Sequence, residues 1–309
     1  VEASDKTKLL VVVGPTAAGK SSLAMHLATQ LSGEIVGADS RHVYRLMDIG
    51  TAKPTFEDRR EIPHHAIDVV DPDEDFGLVT YLELGTQAII NAKFHGNLPI
   101  LVGGTGQYVW ALLEGWQVPR VPPDLAARNE LEELAGASGT GAVVDILRDL
   151  DAKAAARVDP NNLRRVIRAV EVARSGAGGS PKKIPPDYDL LVIGLSMPRP
   201  RLYRRIDDRV DDMLEAGWLD EVRGLLDAGY ALDLPSMSGV GYRELGEHLV
   251  NGADLSEAIA KTKTRTHAFA RRQHAWFKHD DPRIHWFDAT DGIADAEAAV
   301  SQWLDVAPG

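Results

Sequence analysis

Gly14-Pro15-Thr16-Ala17-Ala18-Gly19-Lys20-Ser21 follows an apolar run at 9–13 and leads into a helical pattern with leucines at 23, 27 and 31. The spacing G-x-x-x-x-G-K-S is that of a phosphate-binding loop. Its glycines let the backbone turn N–H groups inward around an anion, and the positive end of the following helix points at the same place. Lys20 can reach the outer phosphates, and the Ser21 hydroxyl can ligate Mg²⁺. The motif predicts a diphosphate or triphosphate bound along Gly14 to Ser21. By itself it reads as nucleotide-binding, with ATP as the commonest occupant, and it does not say which phosphorylated molecule sits there.

Other residues could supply the rest of a reaction. Asp39, in Gly37-Ala38-Asp39-Ser40-Arg41, comes just past a second predicted strand and so at the same sheet edge as the loop. A carboxylate there can take a proton from a nucleophile or hold a metal through water; it can also cap a helix. Gly103-Gly104-Thr105-Gly106 ends a later apolar strand without the aspartate usual for motor-type NTPases. It is either a close approach to a ligand with a Thr105 donor or a tight turn. Arg205 and Arg209 share a helix face and could clamp a departing anion. Asp207, Asp208 and Asp211 on that helix imitate the aspartate-rich pattern of all-helical prenyl synthases, but an acidic solvent face suits an α/β chain better. His64 and His65 are adjacent, a poor spacing for chelation, and read as structural.

The elements that must position these groups alternate. Strands are predicted at 9–13, 34–38 and 98–102, with a further apolar run at 66–70; helices are predicted at 20–31, 78–94 and 105–113. That rhythm predicts an α/β fold, a doubly wound parallel sheet of the phosphate-loop type with its loops gathered at the C-terminal edge. From Trp116 to Pro186 strand signals vanish and Ala, Arg and Glu rise, which predicts an inserted helical domain over 116–186. It leaves through a Gly/Ser/Pro-rich hinge at 175–186, and 1–115 with 187–309 form the core. A strand at 188–195 and helices at 199–216, 219–228 and 255–277 complete the reading.

At 309 residues, with no cysteine, the chain excludes disulfides, thiolate catalysis and Cys-ligated zinc. No apolar run reaches the ~20 residues that span a bilayer, and 1–8 lack a signal-peptide core. The expectation is a cytoplasmic protein with no membrane partner. A net charge of −12 argues against nucleic acid on average. Two stretches argue locally the other way: 261–278, with six Lys or Arg and no acid, and 161–174, with Arg164, Arg165, Arg168 and Arg174 against Glu171. Arg271, Arg272, Trp276 and Lys278 could hold an RNA backbone, or could belong to a solvated helix whose aromatics pack inward.

Taken in order, these stretches resemble the tRNA dimethylallyltransferase (tRNA isopentenyltransferase) family, bacterial type. The matching segments are the phosphate loop; Asp39-Ser40; Met47-Asp48-Ile49-Gly50-Thr51-Ala52-Lys53-Pro54; Pro63-His64-His65; the 98–106 strand and turn; Asp159-Pro160-Asn161-Asn162 with Arg164 to Ala169; Gly239-Val240-Gly241-Tyr242-Arg243-Glu244-Leu245; and Arg271-Arg272-Gln273 with Trp276-Phe277. The resemblance implies transfer of a dimethylallyl group from dimethylallyl diphosphate to N6 of the adenosine 3′ of the tRNA anticodon, position 37. Base and donor would enter a channel from opposite ends, and the loop would hold diphosphate rather than ATP. Asp39 would be the general base and Thr105 the donor to the bridging oxygen. Lys20, Arg209 and a Ser21-bound Mg²⁺ would stabilise the leaving diphosphate. Contacts to the anticodon stem-loop would come from Asp39, Ser40, Arg41, His42, Thr105, Arg164, Arg165, Arg168, Gly241, Tyr242, Arg243, Arg271 and Arg272, with the protein acting as a monomer. The chain departs from the pattern at His42, where the family often has Gln, and at Ala126, where it has a tRNA-contacting Arg, with Arg128 two residues on. The competing readings are an ATP-dependent small-molecule kinase, a prenyltransferase for free adenine nucleotides, and a nucleotide-switched RNA-binding protein.

Overall fold

A computed structural model describes residues 6–177 and 182–305. The middle of the predicted hinge, 178–181, and the first five residues of the polar N-terminus lie outside the described residues. The chain divides into two compact units, Val1–Leu113 with Pro186–Gly309, and Glu114–Pro185.

The larger unit is built on a six-stranded sheet in the order His64–His65, Gly33–Gly37, Leu98–Val102, Thr7–Val13, Tyr188–Ser196, Ile284–Asp288. Every neighbouring pair is parallel, with Leu10 beside both Ile100 and Leu191. Leu9 to Val13 are fully buried, as expected of a parallel strand covered on both faces. Leu10 and Val12 pack with Leu23 and Leu27 of the helix Lys20–Leu31 and with Ala296 and Val300 of the helix Ile293–Asp305. The first strand is central because the chain runs to one side of it and later returns to the other. Its C-terminal end is therefore a topological switch point, where open α/β sheets bind ligands.

The strand at 98–102 and the helix at 78–94 fall where the pattern placed them. The further apolar run at 66–70 is not a strand of the sheet. The apolar run 66–70 makes a single bridge, Tyr44 to Val70, and the sheet edge is His64–His65. Ala66 and Asp68 adopt positive φ, which breaks an extended strand. The final strand, Ile284–Asp288, carries no readable strand signal, because its short apolar run is interrupted at His285 and ends at Asp288.

The smaller unit packs the helices Leu125–Ser138, Thr140–Leu150 and Leu163–Arg174 around Leu131, Val143, Leu147, Val166 and Val170. It also has a two-stranded antiparallel ladder, Trp116–Gln117 with Lys182–Lys183, where no strand was expected. Buried Glu171 is its polar centre. It accepts from Arg128 Nε at 2.7 Å, from Arg168 Nη1 at 2.9 Å and from the Asp124 N–H at 3.1 Å. Arg128, which stands near the family's missing arginine, is thus bound inside this unit. Arg164 and Arg165 are exposed on the opposite stripe of their helix.

Candidate active site

The phosphate loop bends because Gly14, at φ +143°, lies against the Leu195 carbonyl, which a Cβ there would approach to 2.5 Å. Helix Lys20–Leu31 then starts at once, with Gly19 as its N-cap. Lys20 folds back over the loop, its Nζ donating to the Pro15 carbonyl at 2.8 Å. Burial, with Arg209 nearby, lowers the Lys20 ammonium to about 8, against the pull of Asp39. Arg209 is likewise held below its usual range by burial, only partly offset by Asp39. Among the described residues the Arg209 guanidinium has no acceptor. A half-buried cation without a partner is a group arranged for an anion.

Asp39 is fixed by stitching between two loops. The Ala38 N–H donates to Val102 O at 2.7 Å, the Thr105 N–H to Ala38 O at 3.1 Å and the Ser40 N–H to Thr105 Oγ1 at 3.1 Å. Asp39 Oδ1 accepts from the Arg41 N–H at 2.8 Å. That is an Asx turn, not the helix cap that composition allowed, since residues 40–43 form no helix. Nothing among the described residues bonds Oδ2. Burial raises the Asp39 carboxyl, but His42, the Arg41 N–H and Lys20 together outweigh it and leave it below the carboxylate range. Asp39 is therefore an ionised acceptor with one free oxygen.

Two hollows meet at Asp39, Thr16, Thr51 and Arg209. One, of about 280 Å³, is walled further by Arg41, Trp218, Tyr242, Phe269 and Arg272. The other, of about 210 Å³, reaches Lys20, Ser21, His42, Lys53 and Gly104. Outside the loop, Lys20, Ser21 and Arg209 also face a third hollow with Arg205, Asp208 and Asp212. The rest of the aspartate-rich stretch is occupied with the helix Leu255–Trp276, Asp207 pairing with His267 at 2.9 Å and Asp211 with Lys263 at 2.7 Å.

The residues expected to touch RNA do not all share one place. Asp39, Ser40, Arg41, Tyr242 and Arg272 line the first hollow. The Arg41 guanidinium donates to Pro235 O and Ser236 O at 2.8 and 3.2 Å, and the Tyr242 hydroxyl to Glu221 at 2.6 Å. His42 lines the second hollow, its Nε2 donating to Thr51 O at 3.0 Å. Arg271 donates to the Tyr203 hydroxyl at 2.8 Å in a separate depression with Arg199 and His274, and exposed Arg243 pairs with Glu247. Gly241 opens the helix Tyr242–Asn251 with its N–H bonded to Glu244. Arg164, Arg165 and Arg168 belong to the smaller unit. The adjacent histidines part company, His64 bonding Ile62 O at 2.7 Å while lining the second hollow, and His65 bonding buried Glu34 at 2.6 Å, so they do not converge on one ion.

Supporting residues were not legible. Glu221 accepts from the N–H groups of Asp48, Ile49 and Gly50 at 2.8, 2.7 and 3.2 Å, holding the 47–54 loop as a wall of the first hollow. Buried Lys53 locks the same loop by reaching Tyr44 O, Asp48 and Asp68. Lys53 stands in a segment that carries the family resemblance, but its bonding partners, and a glutamate some 170 residues away, give no local signal.

Comparison with known proteins places this site in a family. A family model described as IPP transferase matches residues 42–280. The chain is 52% identical to a tRNA dimethylallyltransferase of Roseiflexus castenholzii, over 96% of this chain and 98% of that one. It is 46% identical to a tRNA dimethylallyltransferase of Dehalococcoides mccartyi, over 92% and 89%. Among solved structures, the full-length tRNA isopentenylpyrophosphate transferase of Bacillus halodurans is similar at a TM-score of 0.72 and 40% identity, over 97% of each chain. A eukaryotic dimethylallyltransferase acting on tRNA aligns at a TM-score of 0.81 and 28% identity, over 98% of this chain and 80% of that one. A phosphate loop at the sheet's switch point, an aspartate between two hollows and these likenesses over nearly the whole length lead to one conclusion: the chain belongs to the IPP transferase family.

Proposed function

We propose that the protein transfers a dimethylallyl group from dimethylallyl diphosphate to N6 of the adenosine 3′ of the anticodon, position 37, in tRNA, releasing diphosphate. The observation that carries this reading is Asp39, with one unbonded carboxylate oxygen, at the junction of two hollows. One hollow has the charge for a diphosphate and the other has aromatic and arginine walls for a base. An exocyclic amine is a weak nucleophile, so both ends of the reaction need help. Asp39 accepts the N6–H and takes its proton as the C–N bond forms. A carboxylate with a lowered pKa suffices, because the amine becomes strongly acidic on alkylation. Thr105, whose oxygen already accepts from the Ser40 N–H, turns its own hydrogen to the bridging oxygen as the C–O bond breaks. Lys20 and Arg209 meet the charge that appears on the diphosphate. Extruding the base costs a few kcal/mol, which stacking and phosphate contacts offset.

Among the described residues no three His, Asp or Glu side chains stand together as a metal cage. The Ser21 hydroxyl, which lines the second hollow beside Lys20, would be the protein ligand to a Mg²⁺ held with the diphosphate. Bound there, Mg²⁺ would neutralise the leaving diphosphate. The exposed Arg164 and Arg165 and the less exposed Arg168 are proposed as phosphate contacts for the anticodon stem-loop, the helical unit 114–185 as a tRNA-binding insertion, and the protein as a cytoplasmic monomer. Among the described residues no helix is long and apolar enough to cross a membrane. The test is incubation with labelled dimethylallyl diphosphate, Mg²⁺ and unmodified tRNA, followed by digestion to nucleosides. Label on adenosine 3′ of the anticodon is expected; its absence refutes the reading.

A further inference from the structure

We infer that Gln273 is a positioning residue that fixes the spacing between the phosphate loop and the turn bearing Thr105, an inference that rests on the prenyl-transfer reading. Gln273 stands near the end of the helix Leu255–Trp276, yet it is only 4% exposed. Both ends of its amide are used. Oε1 accepts from the Thr16 N–H at 2.8 Å, and Nε2 donates to the Gly104 carbonyl at 3.1 Å. Thr16 is the third residue of the phosphate loop, and Gly104 immediately precedes Thr105. One planar amide therefore ties the loop that would hold the diphosphate to the turn whose Thr105 hydroxyl would donate a hydrogen bond to its bridging oxygen. The fit is close, since a Cβ added to Gly104 would lie 2.0 Å from Nε2.

Burying a long polar side chain is unfavourable unless every polar atom is bonded, and here each end has its partner. The two partners are of opposite kind, a donor and an acceptor, so the site selects a primary amide. A carboxylate at 273 would still accept from Thr16 but would face the Gly104 carbonyl with a lone pair. Protonated, it would donate again. An apolar side chain of similar size would make neither bond at any pH. A displacement of about 1 Å between reacting groups can cost about 10²-fold in rate, so a bridge between the two loops acts on the chemistry without touching substrate.

The experiment compares the full-length enzyme with Gln273→Glu and Gln273→Met. Prenyl transfer, tRNA affinity, and binding of inorganic diphosphate with Mg²⁺ by calorimetry are measured from about pH 6 to 8. At the upper pH, Gln273→Glu is expected to lower kcat/KM for the donor by about tenfold or more and to weaken diphosphate binding, leaving tRNA affinity within about twofold. As pH falls, the ratio of Gln273→Glu to wild type in kcat/KM is expected to climb, while Gln273→Met stays low throughout. Lys20 and Asp39 titrate in all three proteins, so the ratio isolates the new carboxyl. The inference is overturned if Gln273→Glu matches wild type, or if both variants lose donor use and tRNA affinity together with no recovery in acid. If the wild type itself transfers no label, the prenyl-transfer reading has failed instead, while the diphosphate calorimetry still judges the bridge.

Discussion

Raising the pH should disable donor capture without slowing the bound complex, and Lys20 is the reason. Its ammonium is lowered to about 8 by burial and by Arg209, so in the free enzyme it loses its proton just above neutrality. A diphosphate oxygen about 4 Å from that charge gains about 4 kcal/mol at an effective dielectric of about 20. That is about three decades in affinity, which by linkage would return the Lys20 pKa in the complex to about 11. kcat/KM reports the free enzyme and kcat the complex. We therefore expect kcat/KM for dimethylallyl diphosphate to fall about tenfold per pH unit above pH ~8, reaching about 30-fold at pH ~9.5, with kcat flat. Steady-state prenyl transfer at saturating tRNA measures both. Unfolding linked to Lys20 itself cannot imitate the effect. Because the folded pKa lies below the ordinary 10.5, the unfolded chain binds the proton more tightly, and this group's contribution to stability rises between pH about 8 and 10.5. Lys20→Met should start low and lack the slope. A flat kcat/KM in the wild type, or the same slope in Lys20→Met, would refute the assignment of Lys20 to the diphosphate.

Further outcomes follow from the same geometry. Asp39→Ala should lower kcat by about 10²–10⁴ while tRNA binding measured by filter retention persists; near-normal turnover would leave Asp39 only its Asx turn. Replacing Arg164 and Arg165 together with Ala should reduce the slope of log affinity for tRNA against log salt by about one to two, and an unchanged slope would remove them from the interface. Glu221→Ala orphans three N–H groups of the 47–54 loop, so urea unfolding should show a loss of about 1–3 kcal/mol. A neutral result would mean that Lys53 alone holds that wall.

The phosphate loop was legible because it is a local device: eight consecutive residues, a strand before and a helix after set its backbone with little help from elsewhere. The 78–94 helix and the 98–102 strand were legible for the same reason, since their apolar periods are unbroken. The edge of the sheet was not. The apolar run stands at 66–70, but positive φ at Ala66 and Asp68 keeps it from extending, and the edge pairing falls on 64–65, where His65 bonds buried Glu34. The two-stranded ladder in the helical unit escaped notice because a pair of two-residue strands has no period to read.

The sequence by itself determined that a loop of phosphate-binding spacing runs from Gly14 to Ser21, that an α/β sheet presents it, and which family the ordered motifs resemble. It named Asp39 but left open whether the side chain caps a helix or faces a reaction. Only the tertiary structure decided against the cap, since residues 40–43 form no helix and Oδ1 closes an Asx turn with the Arg41 N–H. Parallel pairing brings the ends of strands separated by some sixty-five residues to one edge, and there the Ala38–Ser40 and Val102–Thr105 segments bond each other and set Asp39 between two hollows. It alone also joined Gln273 to Thr16 and Gly104, and Glu221 to Asp48, Ile49 and Gly50. Those bonds run between residues far apart in the chain, so no spacing rule encodes them; they exist only once the core has brought the partners within about 3 Å.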